Sequence, residues 1–470
     1  MDRVLRATAA SMSARFTSQE SPELLAQGTR ALFRTGTLFR DVPTPCYITP
    51  TIVGTVPHVT PDNLHKLPEL KAQVVDFADI HPVLGFLKQK QIALRDFMQL
   101  HDMPLVLSAR DYINASNPPS SKAGFAIATS KGRHTVTPDE LMDAADQLQA
   151  ELVVPLADEV ACSFGKNRHR AAMQATLDWL DQCLASKRAS HDAAVCGVIV
   201  GGADERMRRY MTEETVKRDV HALLLSGLDS CEDAAQRQVL IDAVVETAQA
   251  SSTPGAATLP RVLTGIGHPL DVVSAVASGI DAIVSPFPQT VTHAHSALIF
   301  WMGSETDDER VRASERERSG SVLHLREKRF EKDFGPVLAD CQCYTCRHFT
   351  RAYIHHLLNV REMLGDTLLY LHNAHHYFQF FRTMRERIAS GSFLPFVEAF
   401  RAKYEEREST APALPVPLAI AERQEKKDAE KAERIEKRVA QAAEAAAAAK
   451  AKAKAEAAAA RGEECDHPLH

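Results

Sequence analysis

Between residues 42 and 300, short apolar runs alternate with amphipathic stretches. Eight runs read as strands: Cys46–Val53, Val74–Phe77, Pro104–Ser108, Leu152–Leu156, Cys196–Val200, Ala222–Ser226, Arg261–Gly265 and Ala282–Pro286. Most are rich in Val, Ile and Leu, and Gly, Pro, Asp or Ser bounds them. Continuous apolar runs of this length suit strands buried on both faces, as in parallel sheets. The stretches between them read as helices. At Thr137-Pro138-Asp139-Glu140, Thr suits the N-cap, Pro the first turn, and the acids the positive end of the helix dipole. Leu141, Ala144, Ala145 and Leu148 then recur at helical spacing. Pro269-Leu270-Asp271 opens a similar helix, with Val272, Val273 and Val276 on one side. Eight strands alternating with helices predict an α/β fold, a (β/α)₈ TIM barrel. A doubly wound open sheet is the alternative, but such sheets more often hold five or six strands.

The pattern changes after residue 302. Gly303–Ser321 is charged, Ser-rich and almost free of apolar residues, which predicts a mobile loop. Two helices follow, from about Thr350 to Leu364 and from about Asp366 to Ile388, with Gly365 as the break. Pro412, Pro415 and Pro417 mark a linker, and Ala421–Arg461 is almost wholly Ala, Lys, Glu and Arg. Only Ile435 and Val439 are available for an apolar seam, so this tail reads as a solvated helix or helix–coil mixture, not a coiled coil. The expected domains are therefore an N-terminal extension (1–41), a barrel (42–302), the charged loop (303–321), a subdomain with closing helices (322–410) and the tail (411–470).

Composition narrows this little. With 470 residues, 25% charged and 45% apolar, the chain is long enough for one large domain or two medium ones. The net charge of -6 gives no global nucleic-acid footprint. Local basic runs stand out at Lys166-Asn-Arg-His-Arg170 and Arg206-Met-Arg-Arg209, equally readable as phosphate contacts or as solvated helix faces. No apolar run approaches the roughly 20 residues of a membrane span. Met1–Gln19 carries Arg3, Arg6 and Arg15 against a single acid, Asp2. Both a mitochondrial presequence and an unstructured extension look like that.

The nine cysteines are scattered except for three: Cys341, Cys343 and Cys346. The scattered ones read as reduced thiols of a cytosolic-type compartment. The three close thiols read as ligands of one tetrahedral ion, and a closed Zn²⁺ site with sulfur and imidazole ligands is structural. The fourth ligand is open on spacing alone, among His348, His355, His356, His372, His375 and His376.

Ala339-Asp-Cys-Gln-Cys-Tyr-Thr-Cys-Arg-His-Phe-Thr-Arg-Ala-Tyr-Ile-His-His-Leu-Leu358 resembles the zinc segment of the tRNA-guanine transglycosylase family. Gly54-Thr55-Val56, Thr60–Leu64, Val200-Gly201-Gly202 and Leu263–Asp271 resemble further family blocks, so the likeness covers about residues 42 to 400. It implies a (β/α)₈ barrel with a zinc-bearing insertion. It also implies one structural Zn²⁺ held by Cys341, Cys343, Cys346 and His372, the last followed by Asn373 as in the family.

Family chemistry is base exchange. An aspartate attacks the ribose C1′ of the wobble guanosine in a tRNA anticodon, guanine leaves, and queuine or a precursor replaces it. That covalent route needs a nucleophilic carboxylate. The family carries it at the strand end that here reads Asp281-Ala-Ile-Val-Ser285, and the matching position is Val284. Asp281 belongs to the preceding loop and is not expected to substitute. The base-binding block is replaced at Leu107–Ile113, the Gly-rich strand end is reduced to Ser226-Gly227-Leu228-Asp229, and the basic run after the nucleophile becomes Val291–Ser296. Asp158 matches a family acid that contacts the base, and is expected to be a structural remnant. Zinc block kept and nucleophile lost resembles the family's accessory branch. The resemblance then implies a chain with no catalytic residue and no catalysis of its own. It would pair as a heterodimer with a catalytic queuine tRNA-ribosyltransferase subunit, help hold the tRNA, and work in the cytoplasm or at the mitochondrial outer surface.

Overall fold

The computed structural model describes residues 32–408, apart from 40, 93, 101–102, 114–123, 130–131, 187–192, 232 and 304–320. The arginine-rich N-terminus, most of the charged loop and the Ala/Lys/Glu-rich tail lie outside the described residues. Among the described residues, no helix is long and apolar enough to cross a membrane.

The described residues begin with an antiparallel hairpin, β1 (Gly36–Leu38) and β2 (Val42–Thr44), followed directly by β3 (Cys46–Pro50). The boundary expected at residue 41 therefore cuts through a hairpin. After β4 (Gln73–Asp76) come α1 (Phe77–Lys90) and the short α2 (Leu94–Phe97), then β5 (Leu105–Ser108). A second hairpin, β6 (Phe125–Thr129) and β7 (Gly132–Val136), precedes α3 (Pro138–Leu148). The remaining barrel units are β8 (Leu152–Val154) with α4 (Lys166–Ala185), β9 (Ala194–Ile199) with α5 (Glu205–Val216), and β10 (Ala222–Leu225) with α6 (Ala234–Ala250). They end with β11 (Arg261–Thr264) and α7 (Pro269–Ala277), then β12 (Ala282–Val284) and α8 (Phe287–His293).

Strands β3, β4, β5, β8, β9, β10, β11 and β12 close into a barrel in that order, and all the described pairings between them are parallel. Each of the eight apolar runs contributes one barrel strand. The TIM barrel is the observed fold. The run from Cys46 stops at Pro50, because Val53 takes a left-handed backbone (φ 50) and points to solvent. The expected cap of α3 is a full capping box: Glu140 N–H donates to Thr137 Oγ1 (3.3 Å) and Thr137 N–H donates to Glu140 Oε2 (3.0 Å).

Past the barrel, β13 (Ser296–Leu298) pairs antiparallel with β14 (Val322–His324), bracketing the charged loop. Then come α9 (Tyr344–His348), α10 (Arg351–Val360), α11 (Met363–Ala389) and α12 (Phe393–Glu408). The break between α10 and α11 falls at Arg361, in the left-handed region (φ 60), and not at Gly365. Gly365 lies inside α11, where a Cβ would sit 3.2 Å from Leu357 Cβ and 3.1 Å from Leu358 Cδ2. Its smallness serves close helix contact, not a turn.

Two apolar cores result. The large one fills the barrel and continues into α11 and α12, where Tyr47 of β3 meets Tyr377 edge-on with ring centroids 4.9 Å apart. The smaller one gathers Ala297, Ile299, Leu323, Phe330, Ile354 and Leu368 under the cysteine loop. The strand β13 thus belongs to both halves, although sequence alone placed it with the barrel.

Candidate metal centre and barrel mouth

Three elements place the cysteine loop's partners. Cys343 caps α9, and its Sγ accepts from Cys346 N–H (3.2 Å), which fixes the second and third thiols on one turn. Cys341 precedes that turn. His372 sits on α11, fully buried, with its Nδ1 lying 3.9, 3.5 and 3.3 Å from the sulfurs of Cys341, Cys343 and Cys346. All four ligand atoms lie within 4.8 Å of one another. A tetrahedral zinc with Zn–S of about 2.3 Å and Zn–N of about 2.0–2.1 Å has S···N edges of roughly 3.6 Å, so these residues fit that ion.

The histidine is set for the role by its other nitrogen. Nε2 lies 2.8 Å from the Leu298 carbonyl, which can only accept, so the proton sits on Nε2 and the Nδ1 lone pair faces the sulfurs. Asn373 holds the same strand: its Oδ1 accepts from Leu298 N–H (2.8 Å), and its Nδ2 donates to Thr292 Oγ1 and Ser296 O (2.9 Å each). Hydrogen bonds from Cys343 and Cys346 drive the Cys341 thiol far down, while Cys343 is driven far up.

The other candidate histidines have different partners. His348 bonds the Tyr344 carbonyl (2.8 Å), and His355 bonds the Leu325 carbonyl (2.8 Å) and Asn359 (2.9 Å). His376 bonds the Phe300 carbonyl (3.1 Å), and burial pushes its pKa down to about 3. His356 is exposed. His375 is half-buried on α11, three positions past His372, and is not part of the four-residue cluster.

In TIM-barrel enzymes, chemistry sits at the C-terminal ends of the strands. Val284 ends β12 there, level with Ile48 and Thr264, and is 2% exposed. Across the mouth, Arg110 follows β5 and reaches Ser226 Oγ (2.7 Å) and Asp229 Oδ2 (2.8 Å), and it pairs with Glu159. One guanidinium thereby joins the loops after β5, β8 and β10. It lies in the replaced base-binding block, but nothing in the sequence names its partners, which are distant in the chain. Asp158 is held bidentately by Arg168 (2.6 and 2.8 Å). Asp281 lies at the opposite, N-terminal end of β12, buried and clasped by Arg34 (2.9 and 2.7 Å). Neither acid faces the end of β12 as a free nucleophile. Asp76, at the end of β4, is pushed up to about 7 by burial, against the hydrogen bond it receives from Ala78 N–H. A cavity of about 290 Å³ remains beside the β12 end, lined by Gly265, Gly267, His268, Ser285 and Phe287. The Arg237–Asp271 ion pair (2.8 Å) forms part of its wall.

The family model for queuine tRNA-ribosyltransferase matches residues 30–406. The chain belongs to this family. The match spans the barrel, the cysteine loop and the closing helices together. Among its relatives is the queuine tRNA-ribosyltransferase accessory subunit 2 of Ixodes scapularis, 30% identical over 361 residues, covering 75% of this chain and 91% of that one. The protein of the same name from Danio rerio is 31% identical over 382 residues, covering 74% and 89%. That from Homo sapiens is 29% identical over 397 residues, covering 76% and 92%. Within the family, the expectations for Cys341, Cys343, Cys346 and His372 coincide with the one cluster of metal-ligating side chains found among the described residues.

Proposed function

We propose that this chain is the non-catalytic, zinc-holding subunit of a heterodimeric queuine tRNA-ribosyltransferase. Its catalytic partner exchanges guanine for queuine at the tRNA wobble position, and this chain contributes dimerisation and tRNA positioning. The observation that carries the reading is Val284: an alkyl side chain ends the strand where base exchange needs a carboxylate. The Arg110 bridge agrees, since it occupies the loop that would otherwise receive a base. The names of the relatives support the accessory role.

One Zn²⁺ held by Cys341, Cys343, Cys346 and His372 supplies folding energy and no reaction step. It ties α9 to α11 and, through Leu298, to β13. The same subdomain offers the dimer face. Phe349 and Tyr353 stack with centroids 5.6 Å apart, and Val360, Met363 and Leu364 are exposed nearby in the chain. Exposed apolar groups gathered on one subdomain suit a protein partner. The reading places the complex in the cytoplasm or on the mitochondrial outer surface.

The test is a labelled-guanine and queuine exchange assay on purified chain, with and without a co-expressed catalytic homologue. The isolated chain is expected to be inactive and the pair active. Exchange by the isolated chain would refute the reading, as would failure of the two chains to co-purify.

A further inference from the structure

The fold sorts the two basic runs that the sequence left ambiguous. Helices α4 and α5 follow β8 and β9, so both begin on the rim that carries the barrel mouth. In the first run, Arg168 is committed to Asp158. In the second, Arg208 is buried against the carbonyls of Gly202, Ile199 and Ser226, and Arg209 pairs with Glu205 and Glu246. The rest converge. Lys166, Arg170 and Arg206 line one groove of about 460 Å³ between α4 and α5, floored by Met173 and Met207 and flanked by Tyr210. Among the described residues, neither Arg170 nor Arg206 makes an ion pair, and Arg170 reaches only Asn167 Oδ1 (3.3 Å). The one carboxylate in the groove, Asp204, is bonded by Lys166 (2.9 Å) and by the first N–H groups of α5. Gly165 caps α4 with no side-chain acceptor, so its positive end is uncompensated there. Two large aromatics stand out on this edge, Phe164 at 58% and Tyr210 at 51% exposure.

Unpaired arginines beside exposed aromatic faces are the means by which proteins grip RNA without reading its sequence: cations take phosphates, and rings stack on bases. We propose that this rim groove is an RNA-landing site, with Arg170, Arg206 and Lys166 on the phosphates and Tyr210 under a base. It rests on the reading above that this chain helps to hold a tRNA, and it names where.

The experiment measures binding of fluorescein-labelled tRNA to the full chain, alone and assembled with its catalytic partner, across a salt series. For R170E/R206E, affinity should fall at least about tenfold, and the slope of log affinity against log salt should flatten by about 1.5–2, as for two lost phosphate contacts. Tyr210→Ala should weaken binding by about fivefold or more with the slope unchanged. Lys217→Glu, at the far end of α5, should change neither. Wild-type affinity and slope in R170E/R206E, with the wild type binding and the complex active, would overturn the groove and leave the accessory role standing. No tRNA binding by the wild type, alone or assembled, would overturn both.

Discussion

At the residue scale, three positions carry the argument. Cys343 is both ligand and helix cap, so Cys343→Ser should release the metal, since opening a four-ligand site removes its chelate geometry. Elemental analysis should fall from one zinc per chain to near zero, and an unchanged value would refute the ligand assignment. Under the proposed accessory role, restoring one carboxylate at Val284 is not expected to restore chemistry. Val284→Asp buries an acid between β3 and β11 while Arg110 still bridges the mouth. Stability should drop by about 2–4 kcal/mol, seen in thermal melts, with no labelled guanine incorporated. Asp76 gives a pH signature. Its folded pKa of about 7 lies above the ordinary carboxylate value, so the folded state holds the proton more tightly. Its contribution is complete below the unfolded pKa and is lost as pH rises towards 7. Asp76→Asn keeps an acceptor for Ala78 N–H and removes that loss. Its advantage over wild type, from urea midpoints, should grow between pH 5 and 7 by up to about 1.4 kcal/mol per unit. A flat difference would contradict the shift.

At the element scale, α11 does most of the joining. Its buried face holds the proposed metal ligand His372, the strand anchor Asn373 and the aromatic wall from Tyr377 to Phe381 against the barrel. Asn373 is fully buried and makes three hydrogen bonds to β13 and Thr292. Asn373→Ala should leave those groups unsatisfied and cost about 3 kcal/mol, visible as a lower melting temperature with zinc still bound. The sequence announced this helix but misplaced its start. Gly365 has the look of a breaker, and only the packing against Leu357 and Leu358 gives it another purpose. The capping box of α3 was legible because every group in it lies within four residues.

At the scale of the whole molecule, the barrel core and the core under the cysteine loop are separate apolar clusters linked by β13 and α11. Chelation should therefore loosen the smaller core first. Circular dichroism should keep the barrel's signal while sedimentation shows the proposed heterodimer dissociating, and loss of all structure on chelation would argue against two cores. Acid should mimic the chelator, because thiolates and Nδ1 bind metal only when deprotonated. The sequence by itself determined the eight strands, because burial on both faces writes a continuous apolar run, and it determined the three thiol ligands, because they are neighbours. Spacing left the fourth ligand open among six histidines, since adjacent helix positions look alike until a helix folds back, and only the family resemblance pointed to His372. His372 is separated from Cys346 by 26 positions, and only the packing of α11 brings them together. The same holds for the Arg110 bridge and the rim groove. Each depends on side chains from separate loops or helices meeting in space, which local spacing does not encode.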